Sequence, residues 1–216
     1  MKFELIIFDL DGTLVDSRAD ISQSVNHVLS VFSLPALPDS EIAGYVGRGV
    51  SSLVRSVLGA ENQKLFKKAM PLFKAYYAEH LLDHTVLYPG VRELLESLEG
   101  YRKAVVTNKP TEYSVKILEG LGVAGFFQTV FGGDKVPVKK PAPDGILALA
   151  REYGVAPGKV LMVGDSTMDI EAGKNAGAKT CAVTYGFGQK ADLDLAGPDY
   201  ILDSITAVKG ILNERS

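Results

Sequence analysis

The sequence predicts an α/β protein: a doubly wound parallel sheet with a Rossmann-like core, into which an α-helical cap domain is inserted. Three observations carry this. Short apolar runs rich in β-branched residues recur before polar or glycine punctuation, as expected of strands buried on both faces. Helix-like stretches lie between them, several ending in glycine, the usual helix stop. One long segment breaks the alternation with helical pattern alone.

The strand-like runs are "ELIIFDLD", "KAVVTNK", "QTVFGGD", "KVLMVGDS", "KTCAVTYG" and "DYILDS". The helical stretches among them are "VRELLESLEG", "EYSVKILEGLG", "DGILALAREYG" and "DIEAGKNAG". Strand followed by helix, repeated, describes a doubly wound sheet. From Asp16 to Leu82 the pattern is only helical: "ADISQSVNHVLSVF", "GVSSLVRSVLG" and "ENQKLFKKAMPLFKAYYAEHLL". Pro71 is expected to kink or divide the last of these. Such a length exceeds an ordinary strand-to-helix connection. The expected organisation is therefore a core of residues 1–15 and 84–216 and a cap of residues 16–83, hinged near Val15–Asp16 and His84–Pro89.

Composition narrows the function classes. With 216 residues, 46% apolar and 23% charged, the chain can bury a sizeable core. A net charge of −3 lacks the basic excess of a nucleic-acid binder. No apolar run approaches the ~18 residues of a membrane span, and "MKFELIIF" is too short and too acidic for a signal sequence. A cytoplasmic location and no membrane partner are expected. The single cysteine, Cys181, sits in an apolar run and reads as a small buried hydrophobe. Nothing in the sequence speaks to oligomeric state.

In an open parallel sheet, ligands bind beyond the carboxyl ends of the strands. Asp9, Asp11 and Thr13 follow the first run, Thr107 and Asn108 the second. Lys139 and Lys140 come after the third, and Asp165, with Asp169 four residues on, ends the fourth. Any one of these has a bland reading: an acid after a strand caps a helix, Thr and Asn form turns, and lysines before a proline sit in a solvated loop. Their recurrence at successive strand ends argues for one shared crevice. Several carboxylates in one place call for a cation, and oxygen-only ligands suit Mg²⁺. Hydroxyl, amide and ammonium donors beside it suit phosphoryl oxygens. One carboxylate can then attack phosphorus to form an aspartyl-phosphate, while another, with its pKa raised, moves protons.

"DLDGT", "VVTN", "KKPAP" and "GDSTMD", in that order, resemble the haloacid dehalogenase superfamily, in particular its phosphatases with a helical cap after the first strand. The likeness covers essentially the whole chain. It implies Asp9 as nucleophile and Asp11 as general acid/base. It further implies Asp9, the Asp11 backbone carbonyl and Asp165 as Mg²⁺ ligands, with Asp169 as a nearby supporting acid. Thr107 and Asn108 are implied to hold the phosphoryl group and Lys140 to steady its charge. Lys140 is preferred to Lys139 because it directly precedes Pro141. Gly12 is expected to let the backbone turn tightly beside the phosphate.

Other classes fit less well. An EF-hand is excluded by the strand-like lead-in and the missing loop glycine, and no P-loop signature occurs. Dehalogenases of the superfamily are not expected to carry the second aspartate, Asp11. Its hexose-phosphate mutases typically place a histidine where this chain has Asp20. A catalytically dead binding relative would usually lose one of the acids, all of which are present. Within the cap, "GYVGRGVSSLV" puts Arg48 in a glycine-flanked turn; this turn and "DSRADI" resemble phosphoglycolate phosphatases. The expected partner is therefore a small phosphorylated metabolite, foremost 2-phosphoglycolate, whose carboxylate Arg48 would pair with. Pyrophosphate and sugar phosphates stand as alternatives.

Overall fold

The computed structural model describes residues 3–213. Six parallel strands form the main sheet: β1 (Leu5–Phe8), β4 (Arg102–Val106), β5 (Thr129–Phe131), β6 (Val160–Gly164), β7 (Lys179–Val183) and β8 (Tyr200–Leu202). They lie in the order β5-β4-β1-β6-β7-β8. All six correspond to the apolar runs read from the sequence. β1 lies between β4 and β6: the chain adds β4 and β5 on one side, then crosses over to add β6, β7 and β8 on the other. That reversal opens a crevice at the carboxyl end of β1.

The strands lack polar alternation because both faces are covered. Ile6 and Phe8 of β1 join one buried cluster with Val105, Leu161 and Val163. Leu5 and Ile7 point the other way, to Ala104, Val160 and Met162. The first cluster is closed by α5 (Val91–Ser97), α6 (Thr111–Gly120) and α10 (Val208–Asn213). The second is closed by α7 (Asp144–Glu152) and α8 (Thr167–Ala176). A further helix, α9 (Lys190–Ala196), buries only Leu193. Cys181 is fully buried and unpaired in the core.

The helical insert holds α1 (Arg18–Val31), α2 (Asp39–Ala43), α3 (Val50–Leu58) and α4 (Phe66–Glu79). Pro71 does not divide α4, which runs unbroken through it. Ala69, Phe73 and Tyr77, spaced by four residues, bury one continuous stripe, and that packing outweighs the single backbone hydrogen bond the proline forgoes.

A feature too short for sequence periodicity joins insert and core. β2 (Val15–Asp16) pairs antiparallel with β3 (Val86–Leu87), so the chain enters and leaves the insert through one two-stranded ribbon. Asp20, fully buried at the start of α1, ties this junction together. Its carboxylate accepts from the Thr85 N–H (2.8 Å), the Thr85 hydroxyl (2.7 Å), the His84 N–H (3.0 Å) and His84 Nδ1 (2.9 Å). Burial works against the charge, but these donors prevail and hold the Asp20 carboxyl below its ordinary pKa.

Candidate active site

Asp9 follows β1 directly, and its N–H bonds the Val163 carbonyl at 2.9 Å, extending the pairing with β6 to the last residue before the crevice. Its carboxylate is therefore carried at the end of a strand paired on both sides. Lys140 reaches it from the loop after β5, with Nζ 2.8 Å from Asp9 Oδ1 and 2.5 Å from Asp169 Oδ1. Lys140 is 6% exposed, whereas Lys139 is only half-buried. Burial pulls the Lys140 ammonium down, but Asp169 and Asp9 more than offset this, so it stays charged.

Asp169 is held in place from its other side. Its Oδ2 accepts from the Ser166 N–H (3.0 Å) and hydroxyl (2.6 Å) at the start of α8. Asp165, at the end of β6, accepts from the Thr13 hydroxyl (2.9 Å) and the Phe187 N–H (2.7 Å). Gly12 makes room for it: at φ +86°, a Cβ there would lie 2.1 Å from Asp165 Oδ2. Thr107 and Asn108 follow β4, both buried. The Asn108 amide donates to the Lys140 carbonyl (2.9 Å) and to the Gly47 carbonyl of the insert (2.8 Å), while its oxygen accepts from the Lys140 N–H (3.0 Å).

The chemistry of this donor set fits a hard cation. Asp9, Asp165 and Asp169 are buried, and each offers a carboxylate oxygen within 4.8 Å of the other two. Burial, followed by the charges of Asp169 and Asp9, raises the Asp165 carboxyl well above its ordinary range. Asp9 is raised too, chiefly by burial, with Lys140 pulling against Asp169. Such a cluster binds either protons or a cation. Asp9 Oδ1 is also buried without a well-aligned hydrogen bond. Since Asp169 is committed to Lys140 and Ser166, Asp9 and Asp165 are the acids better placed to hold an ion.

Asp11 has partners that were not read from the sequence. Lys109 Nζ donates to Asp11 Oδ1 (2.8 Å) and Oδ2 (3.0 Å), and the Ser17 hydroxyl donates to Oδ1 (2.6 Å). Lys109 also meets the Tyr77 hydroxyl of α4 at 2.5 Å. Burial opposes the charge on Lys109, but Asp11 and Tyr77 outweigh it and raise its pKa. The Tyr77 phenol, chiefly through burial, is pushed up to about 12. One signal for Lys109 was available: it stands immediately after Thr107 and Asn108 at a strand end. Tyr77 carried none, since an aromatic on a helix stripe is usually core.

Two chambers open from Asp9 and Asp11 toward the insert. One, of about 50 Å³, is mostly apolar, walled by Val50, Leu53, Phe73 and Tyr113, with Lys109 and Tyr77 as its polar side chains nearest Asp11. The other, of about 210 Å³, is polar and carries Asp165, Ser166, Gln189 and Asp192. Arg48 borders this second chamber and is exposed.

A doubly wound sheet, with a buried lysine–carboxylate cluster at its switch point and a helical lid above, is the architecture of a capped hydrolase. The profile described as "Haloacid dehalogenase-like hydrolase" matches residues 6–183. A phosphoglycolate phosphatase of Nitrosococcus oceani is 35% identical, the match covering 98% of this chain and 97% of that protein. One from Haemophilus influenzae is 37% identical, covering 98% and 99%. The crystal structure of a predicted phosphoglycolate phosphatase from Haemophilus somnus superposes with a TM-score of 0.94, at 35% identity and 99% coverage of each chain. The chain belongs to the haloacid dehalogenase-like hydrolases.

Proposed function

We propose that this protein is a Mg²⁺-dependent phosphomonoester hydrolase acting through an aspartyl-phosphate, with 2-phosphoglycolate as substrate and the cytoplasm as its setting. The observation that carries this reading is Asp9 at the tip of β1, buried and backed by Lys140 at 2.8 Å. An ionised, rigidly held carboxylate is what in-line attack on phosphorus requires.

In this reading Asp9 Oδ attacks phosphorus, and the bond to the leaving oxygen breaks. Asp11, once parted from Lys109 and protonated from solvent, gives that oxygen its proton, and it recovers one from the water that hydrolyses the acyl phosphate. Inorganic phosphate departs and Asp9 is regenerated. Lys140 and the Thr107 hydroxyl hold the phosphoryl oxygens, and Asn108 orients Lys140 through its paired backbone bonds. Asp9, the Asp11 carbonyl and Asp165 would hold Mg²⁺, which when bound neutralises phosphoryl charge. Asp169 fixes the Lys140 ammonium. Arg48 adds positive charge at the lip of the polar chamber.

The identity of about 35% to phosphoglycolate phosphatases supports the substrate class. Asp20, committed to the junction with His84 and Thr85, gives no support to a mutase. The test is a panel of phosphorylated metabolites with Mg²⁺, including 2-phosphoglycolate, pyrophosphate and hexose phosphates. The expected result is a preference for 2-phosphoglycolate, lost with Asp9→Asn while the fold persists. Substantial turnover by the Asn variant would refute the covalent route.

A further inference from the structure

Lys109 is a buried cation, 7% exposed, that lines the apolar chamber and meets Asp11 there. Among the described residues lining that chamber it is the sole cationic side chain. Its ammonium lies within hydrogen-bond distance of both Asp11 carboxylate oxygens and of the hydroxyl of Tyr77, a residue of the insert. Arg48, to which the sequence assigned the reading of the substrate carboxylate, borders the other chamber and is exposed to water. A guanidinium in that setting is screened and loosely held. A buried ammonium that meets its anion in an apolar cavity is not.

We infer that Lys109, assisted by the Tyr77 hydroxyl, is the specificity-determining group that binds an anionic leaving group. This rests on the proposed phosphatase reading. In 2-phosphoglycolate the carboxylate carbon is two bonds from the leaving oxygen. A tail whose leaving oxygen faces Asp11 therefore brings its carboxylate within a hydrogen-bond length or so of where Asp11 now sits, 2.8 Å from Lys109 Nζ. The incoming carboxylate replaces one anion by another on Lys109, so the buried ammonium is never left unpaired. Asp11, released, turns to the leaving oxygen. A neutral tail offers no such exchange, and Lys109 keeps its hold on Asp11. Tyr77 makes the site a joint one: the hydroxyl comes from α4 and the ammonium from the loop after β4, so the anion is read between insert and core.

The test separates tail binding from chemistry by using hydrolysis-proof phosphonates. In the Mg²⁺-loaded protein, Kd is measured for 3-phosphonopropionate, which keeps the carboxylate, and for propylphosphonate, which lacks it. Wild type should prefer the former, and Lys109→Met should reduce that preference by on the order of tenfold to a hundredfold, as for loss of a charged hydrogen bond. Tyr77→Phe should reduce it by about threefold to tenfold, and Lys109→Arg should retain part of it. Arg48→Ala should leave most of it. A preference that survives both Lys109→Met and Tyr77→Phe, in variants with wild-type circular dichroism, overturns the inference, as does its loss in Arg48→Ala alone. If wild type shows no preference, the 2-phosphoglycolate reading itself fails and the inference with it.

Discussion

Asp20→Ala should be among the most destabilising single changes in this chain, and its cost can be built from the partners it leaves behind. The Thr85 N–H and hydroxyl are buried, Thr85 being 3% exposed, and Asp20 is the acceptor for both. Each buried donor left unsatisfied costs about 1–3 kcal/mol. The His84 N–H and ring lie nearer the surface and can turn to water, so they add little. The expected loss is roughly 2–6 kcal/mol, the combined cost of the two orphaned Thr85 donors. Denaturant unfolding at neutral pH measures it, and Thr85→Val supplies the second arm of a double-mutant cycle. The double variant should cost less than the sum of the singles, because valine removes one of the orphaned donors. The penalty also has a pH signature. Because the Asp20 carboxyl is held below 3.8, its contribution is present above that value and lost as pH falls through its lower folded pKa. The gap between wild type and variant should therefore close in acid. A loss under about 1 kcal/mol at neutral pH would refute this account of the junction.

Asp11→Asn should slow formation of the acyl phosphate from 2-phosphoglycolate by about 10²–10⁴-fold, and far less from an activated aryl phosphate that needs no proton; equal losses in single-turnover experiments would remove Asp11 as the acid. Chelation should silence the enzyme and Mg²⁺ restore it, with Asp165→Ala raising the Mg²⁺ requirement sharply. The Asp165 carboxyl, raised from 3.8 to about 8, binds its proton more tightly when folded. Its stabilisation is complete below pH 3.8 and lost as pH rises through about 8. Mg²⁺ takes the proton's place, so it should raise Tm more at about pH 8.5 than at about pH 5. The same Mg²⁺ shift at both pH values, unchanged in Asp165→Asn, would contradict this.

How much of this was legible depends on the range over which each signal acts. The six sheet strands were readable because burial on both faces leaves a local, uninterrupted apolar run such as "LIIF" or "VLMVG". The acids and donors of the site were readable for a related reason: a parallel sheet places strand ends together, so position after a strand predicts meeting in space. The β2–β3 ribbon, two residues on each side, was too short to show a period. So was α2, with five residues. The Lys109 pairs span 98 and 32 residues, and Asp20 meets Thr85 across 65. No local pattern encodes a partner at that distance. Asp20 illustrates the gap: the sequence singled out its position for the histidine it lacks, and the structure gives its carboxylate a role in joining insert to core.

Asn108 shows why insert and core should be treated as one machine at the site. One side-chain amide holds the loop carrying Lys140 through both its oxygen and its nitrogen, and the same nitrogen docks the Gly47 carbonyl. Gly47 adjoins Arg48 in the turn that borders both chambers. Any movement of that turn therefore draws on the residue that orients Lys140, and through it on the ammonium backing Asp9. Lys109, the next residue, does the same through its side chain, reaching Asp11 on the core and Tyr77 on α4. Two consecutive residues after β4 thus connect the insert to each of the two carboxylates proposed to do the chemistry. Asn108 and Lys109 both line the apolar chamber, so in the proposed reading a substrate tail seated there would meet both connections, and the insert would sense the tail through them.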